Sequence, residues 1–233
     1  MERVPEPELM EKKEQVISYD EADFSEGEVN LINQINQYLL KKNISLSEKD
    51  LIVDLGCGPG NISEKLAIKW PNTEVVGVGI DGSKEMILRA EYNKSISNNQ
   101  KKLKNLRYIC SDIKDIKSNN FLLKKRISLL VSNSLIHHIT NLEDFFNTIR
   151  SLSSNITVNF HKDLKRPLNE KSALELKAQC STKYNEILTN DYYASLRASY
   201  TFKELKNFTL ENDLSSLDVF EEGENYLIVY GNV

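Results

Sequence analysis

The chain has 233 residues, 40% of them apolar and 27% charged, with a net charge of −4. Those values suit one α/β domain with a modest addition and give no general electrostatic case for nucleic acid. No apolar run reaches the roughly 18 residues that span a membrane, and three scattered cysteines, Cys57, Cys110 and Cys180, exclude a disulfide framework or zinc ribbon.

Residues 1–25 show no clear period and read as an acidic, proline-containing arm, extended or short-helical. Its charged beginning lacks the apolar centre of a signal peptide, so a cytoplasmic protein is expected. Val29, Ile32, Ile35, Leu39 and Leu40 then recur at helical spacing to about Lys42. A short apolar run, Leu51–Leu55, predicts a buried strand ending in glycines, and a helix follows from Ile62 until Pro71 stops it. Strands are predicted at Glu74–Val78, Leu106–Cys110, Ile127–Ser132 and Ile156–Phe160. Between them lie a helix from Ser83, a short one near Phe121 and another over Leu142–Leu152. The basic stretches Lys101, Lys102, Lys104 and Lys124, Lys125, Arg126 flank strands and read as solvated turns. Alternation of this kind gives right-handed crossovers and a parallel sheet covered on both faces. After Phe160 it stops: residues 161–200 look helical, and Thr201 with Glu204 forms a capping-box pattern for a helix to about Asn212. Ser215–Phe220 and Tyr226–Tyr230 close the chain as a hairpin with an antiparallel last strand.

The strongest motif is Leu51–Asn61, LIVDLGCGPGN. A buried strand delivers Asp54, then Gly56, Gly58 and Gly60 lead into a helix. The glycines let backbone approach a ligand closely, and the unpaired N–H groups at the helix start attract a carboxylate or phosphate. Nicotinamide and flavin enzymes carry their acid one strand later. Here it stands two positions before the first glycine, which suits a ligand with both an amine and a carboxylate.

This segment resembles the first motif of class I, Rossmann-like S-adenosylmethionine-dependent methyltransferases, which cradles the methionine part of the cofactor. The resemblance implies cofactor contacts at Asp54, Gly56, Cys57, Gly58, Gly60 and Asn61. Val75–Met86 resembles the second motif: Asp81, followed by Gly82, would grip the ribose hydroxyls, and Met86 would pack near the adenine. Cys110–Ile113 resembles the third, with Ser111, Asp112 and the backbone of Ile113 at the adenine. Ser132–Ile139 resembles the fourth, placing Asn133 and Ser134 beside the transferred methyl. The likeness covers residues 28–160 and implies a three-layer α/β sandwich with a seven-stranded, mostly parallel sheet, order 3-2-1-4-5-7-6. It also resembles a bacterial group of small methyltransferases without an assigned substrate, through the PEPELM, YDEADFS and DYYASLRASY segments. A single domain over 1–233 is expected, with 1–45 as arm and lid helix and 161–200 as a helical cap.

Methyl transfer from a sulfonium needs a base only when the acceptor must lose a proton. His137 and His138 follow strand four and are the candidates, although adjacent residues point apart and at most one faces the methyl. No acid or cysteine is spaced beside them to complete a metal site, so none is expected. Tyr19, His161, Arg166 and Tyr193 are the candidate acceptor contacts: Tyr19 from the lid, Arg166 as an anion clamp. The expected partner is a small-molecule acceptor, with no nucleic acid or membrane, on a monomer or homodimer. Competing readings are a methyltransferase for RNA or protein, which needs a basic face at the cofactor mouth, a non-catalytic cofactor-binding domain, and a nicotinamide oxidoreductase.

Overall fold

The computed structural model describes residues 1–6, 12–79, 83–99 and 103–233; Asp81, Gly82, Lys101 and Lys102 lie outside them. Seven strands form one sheet: β1 (Leu51–Leu55), β2 (Glu74–Gly79), β3 (Leu106–Cys110), β4 (Ile127–Asn133), β5 (Val158–Leu164), β6 (Leu217–Glu222) and β7 (Tyr226–Gly231). Their order is β3-β2-β1-β4-β5-β7-β6, as the family resemblance implies. β1 pairs parallel with β2 and β4, whereas β7 runs antiparallel to both β5 and β6. All five residues of β1 are buried, because helices cover both faces of a parallel sheet.

On one face lie α2 (Ser25–Lys41) and α3 (Asn61–Lys69), which bury Leu31, Ile35, Leu39 and Leu66 against Ile52, Leu129 and Phe160. On the other lie α7 (Leu142–Leu152) and α10 (Phe202–Glu211), with Phe145, Phe146, Ile149 and Leu205 packed on Val53, Val76 and Leu130. Phe145 and Phe146 are fully buried, so truncating either to Ala costs about 3–5 kcal/mol. Between β2 and β3 runs α4 (Lys84–Ile96), and the short helices α5 (Ile113–Ile116) and α6 (Asn120–Leu123) link β3 to β4.

One part differs from the sequence reading. β5 begins later and extends to Leu164, so residues 161–164 are strand rather than cap. The polar run His161, Lys162 and Asp163 looks like a loop, but β7 continues to pair with it as far as Leu164↔Tyr226. Within the arm, residues Lys13–Asp20 form a helix, α1. Ser18 accepts from Asn185 Nδ2, and Gln15 Nε2 donates to Asp191. Both partners belong to the cap pair α8 (Glu170–Ser181) and α9 (Glu186–Ala198) or to its N-cap. At its other end Asp20 takes Arg89 and Asn93 of α4. The arm is therefore tied to the cap on one side and to the core on the other.

Candidate active site

The carboxyl ends of β1, β2, β4 and β5 meet at one edge of the sheet, where open α/β folds bind ligands. After β1 the chain turns through Gly56, Gly58 and Gly60 at φ values of 72°, 51° and 95°, a region that disfavours side chains. Gly56 and Cys57 N–H both donate to Val78 O, which fixes the loop to β2. A β-carbon at Gly58 would meet nothing within 4 Å, whereas one at Gly60 would strike the Tyr108 hydroxyl. The loop is thus sealed from beneath by an aromatic ring and open above.

Asp54 is buried and accepts one hydrogen bond, from Ser63 Oγ at 2.6 Å. Burial pushes its carboxyl up to about 7 despite that bond. A buried carboxylate with no cationic partner among the described residues fits a ligand that carries an ammonium group. The open glycine cradle and this acid together suit the methionine part of S-adenosylmethionine.

The other predicted cofactor residues divide. Cys57 is buried with its Sγ near its neighbour Gly58 O, and Met86 is buried on α4. Asn61 is used within the fold: its Nδ2 donates to Glu28 Oε1 at 2.9 Å, and Lys65 holds the other oxygen. Asp112 is exposed and caps α5 by accepting from Lys114 N–H, beside a half-buried Ser111 and a buried Ile113. Ser111 N–H donates to Gly79 O, which ties the ends of β2 and β3 together. Asn133 ends β4, and Ser134 follows at φ 56° with its N–H on Lys162 O. Non-glycine residues held in that region concentrate at functional sites.

From Ser134 the chain enters a 3₁₀ turn, Ile136–His138. His137 Nδ1 lies 2.6 Å from Asp163 Oδ1, and both side chains are 3% exposed. The Asp163 carboxylate also accepts from the N–H groups of Ile136 and Leu164. A carboxylate only accepts, so Nδ1 carries the proton and Nε2 is left as the basic atom. Burial works against a charged His137, but the Asp163 charge and hydrogen bond outweigh it and hold the imidazole above its ordinary pKa.

Contrary to the expectation that adjacent residues point apart, the His138 ring packs 4.2 Å from that of His137 and reaches Glu6 at 2.6 Å. Burial alone would raise the Glu6 carboxyl, yet His138, His137 and Ser195 hold it below its usual range. Among the described residues Glu6, His137 and His138 bring three ligand atoms within 4.8 Å of one another. The acid that sequence spacing lacked comes from the arm. Glu6 and His138 are in direct contact, and Arg3 lies alongside. These contacts tie the arm to the histidine turn.

Of the predicted acceptor contacts, Tyr19 alone comes near this edge. Burial pushes its hydroxyl up to about 12, and Glu28, Tyr226, Asp54 and Asp163 lie within electrostatic reach. The other three are corrected by the structure. His161 is fully buried, bonded to Ser132 Oγ and Asn159 and edge-on to Phe145; burial lowers it to about 3. Side chains alternate between the two faces along β5, and this one lies on the face covered by α7. Arg166 is buried and clasps Glu204 and Ser199 O, which holds the end of the cap to α10. Tyr193 reaches Glu170 across the outside of the cap. Sequence reading missed the partnership of Asp163 with His137, and it missed Arg3, Glu6 and Tyr108. Their sequence separations from their partners leave no local signal.

A family model described as a methyltransferase domain matches residues 46–198. The chain belongs to the methyltransferase-domain family. Its Rossmann-like fold is that of methyltransferases crystallised with SAH. The methyltransferase is 45% identical over 51 residues to trans-aconitate 2-methyltransferase of Azoarcus sp. (strain BH72), which is 22% of this chain and 19% of that protein. It is 24% identical over 120 residues to malonyl-[acyl-carrier protein] O-methyltransferase of Bacillus cereus, 52% of this chain and 38% of that protein. The matched stretches therefore span well under half of those relatives. The fold is shared along nearly the whole chain with plantazolicin methyltransferase BamL, crystallised with a desmethyl substrate analogue and SAH: TM-score 0.69, 18% identity, covering 94% and 90%. A putative S-adenosyl-L-methionine-dependent methyltransferase from Methanococcus maripaludis gives TM-score 0.68 at 16% identity, covering 99% and 97%.

Proposed function

We propose that this methyltransferase moves the methyl group of S-adenosylmethionine to a small-molecule acceptor held against the turn after β4, with His137 as the proton acceptor. The observation that carries the reading is the buried His137–Asp163 pair at the carboxyl edge of the sheet, one turn from the glycine loop. When bound, the cofactor supplies a sulfonium methyl with a neutral thioether leaving group. Holding an acceptor atom in line with it accounts for as much as about 7–11 kcal/mol of the barrier. His137 Nε2 then takes the acceptor proton, a contribution of about 10²–10⁴ in rate. Asp163 keeps the imidazole in the required tautomer, and His138 lies at the rim of the same turn, facing Glu6.

Asp54, the glycines and the start of α3 hold the methionine part of the cofactor; Asp81, Gly82, Met86, Ser111, Asp112 and Ile113 serve its nucleoside, and Asn133 and Ser134 flank the methyl. Residues 1–45 act as lid and the segment after β5 as cap, and Tyr19 contributes from the lid side. Closure of this kind excludes water and suits a compact acceptor. The net charge of −4 and the names of the relatives, a trans-aconitate and a malonyl-carrier enzyme, support a small molecule over RNA. Among the described residues no helix is long and apolar enough to cross a membrane, in keeping with a cytoplasmic monomer or homodimer.

Calorimetric titration with S-adenosylmethionine, its demethylated product and NAD tests the cofactor, and an untargeted methylation screen of metabolites tests the acceptor. Binding of NAD in preference to the sulfonium, or product only with RNA or protein, overturns the reading.

A further inference from the structure

The turn that carries the two histidines is held from two sides. On the sheet side stands Asp163, bonded to Ile136 N–H and His137 Nδ1. On the other side the carbonyls of His137 and Ile139 project away from the sheet. A helical turn leaves its last carbonyls without partners of its own, and here Arg3 supplies them. Its Nη2 donates to His137 O at 3.1 Å and to Ile139 O at 3.0 Å, while Nε donates to Ala198 O at 2.6 Å. The guanidinium lies 4.0 Å above the Tyr200 ring, whose hydroxyl bonds Ile139 O and Thr140 O. Val4 N–H joins Arg197 O, and Glu6 bridges Ser195 Oγ on α9 to His138. Arg3 and Glu6 thus fill the space between the turn and the end of the cap.

We propose that Arg3 and Glu6 are positioning residues of the acceptor site, fixing the His137–His138 turn from the side opposite Asp163. This rests on the reading of that turn as the place where the acceptor is activated. Only a planar fork with several fixed donors reaches Ala198 O and both turn carbonyls at once; a lysine ammonium keeps the charge but not the geometry. Glu6 supplies the charge against which His138 is oriented. The groups facing the pair are Asp163 from β5, Arg3 and Glu6 from the arm and Asp191 from α9; Arg166, Glu204 and Tyr200 lie behind Arg3.

The chain has three histidines, so their ring signals can be resolved by NMR with labelled histidine and assigned by single replacements. No acceptor is needed. In Glu6→Gln the ring signals of His138 are expected to move, because the carboxylate 2.6 Å from its Nδ1 is removed; those of His137 should move less, and those of His161 should stay unchanged as the internal reference. In Arg3→Lys the His137 and His138 signals should move or broaden, while S-adenosylmethionine affinity by calorimetry stays within about twofold of wild type, below the ~1.4 kcal/mol that marks a tenfold effect. Against an identified acceptor, Arg3→Lys should lower kcat more than it alters KM. Histidine signals identical to wild type in both variants would overturn the proposal. So would a loss of cofactor affinity in Arg3→Lys as large as the loss of turnover. Full turnover by His137→Gln would refute the base on its own, because the imidazole signals in the Arg3 and Glu6 variants are read without turnover.

Discussion

A β-carbon at Gly56 would lie 2.7 Å from Leu135 Cδ1 and 3.2 Å from Leu135 Cβ. The glycine loop therefore rests directly on Leu135, the residue that caps the turn presenting His137. Gly56→Ala would both occupy a φ of 72° and push Leu135 aside, with backbone strain of about 1–3 kcal/mol. Gly58→Ala has a similar φ problem but no neighbour within 4 Å. Both variants should lose stability and cofactor affinity, but Gly56→Ala alone should shift the His137 and His138 NMR signals. Equal histidine spectra in the two variants would show that the contact does not couple loop to turn.

Asp54 predicts an unusual pH response. Its folded pKa is about 7, raised by burial, against about 3.9 in an unfolded chain. Between those values the folded protein keeps a proton that the unfolded chain has lost, so this group's contribution to stability falls as pH rises from about 4 to 7. Asp54→Asn removes that loss. The ligand-free variant should melt above wild type at pH 8 and near wild type at pH 4. Its S-adenosylmethionine affinity should fall by tenfold or more, because a charge-assisted bond is worth about 1.5–3 kcal/mol. Thermal scans across pH and calorimetry check both halves; a variant that melts lower at pH 8 contradicts the sign.

Much of the fold is legible in the order of the residues alone. The apolar runs Leu51–Leu55 and Ile127–Ser132 read as strands buried on both faces, and their alternation with helices gives a parallel sheet, while the strand order is what the family resemblance implies. The glycine loop carried its own chemistry, because positive φ and close ligand approach both demand glycine at set intervals. β5 was harder: His161, Lys162 and Asp163 look like loop residues, and only pairing with a strand more than 60 residues later keeps them extended. The acceptor side was less legible still. Arg3 meets carbonyls 134 and 136 positions away, and tertiary contacts of that kind leave no period or local motif. Arg166 and His161 were credible ligands by position, but burial turned both inward.

His161 should act on stability with the opposite sign to Asp54. Burial holds it neutral, lowered to about 3, while an unfolded histidine takes a proton below about 6.5. Its contribution is therefore present above 6.5 and is lost as pH falls toward 3. His161→Gln should cost about 1 kcal/mol throughout by weakening the Ser132 bond, and should flatten the acid side of the stability curve. Since Asp54 gains stability over the same acid range, the two variants should diverge: Asp54→Asn falls more steeply toward pH 4 than wild type, and His161→Gln less steeply. Urea titrations at pH 4, 5, 6 and 7 would measure this; parallel curves would show that His161 binds its proton equally well in the folded and unfolded chains.

The base is tested by its pH dependence as well as by its removal. His137→Gln should reduce kcat by about 10²–10⁴ with an acceptor that must lose a proton, and should leave cofactor affinity unchanged. Since Asp163 holds the imidazole above its ordinary pKa, wild-type turnover should rise with pH through a midpoint above that of free histidine and then level. Asp163→Asn removes the charge that sustains this shift, so burial dominates and the midpoint should move to lower pH, while kcat drops because Nδ1 loses the acceptor that set its tautomer. For stability the sign is reversed: a histidine raised in the folded state contributes most below its unfolded value and loses that contribution as pH rises through the folded one. Asp163→Asn should therefore cost more stability at pH 5 than at pH 9. A midpoint that stays in place in Asp163→Asn would mean that the titrating group lies on the acceptor rather than on His137.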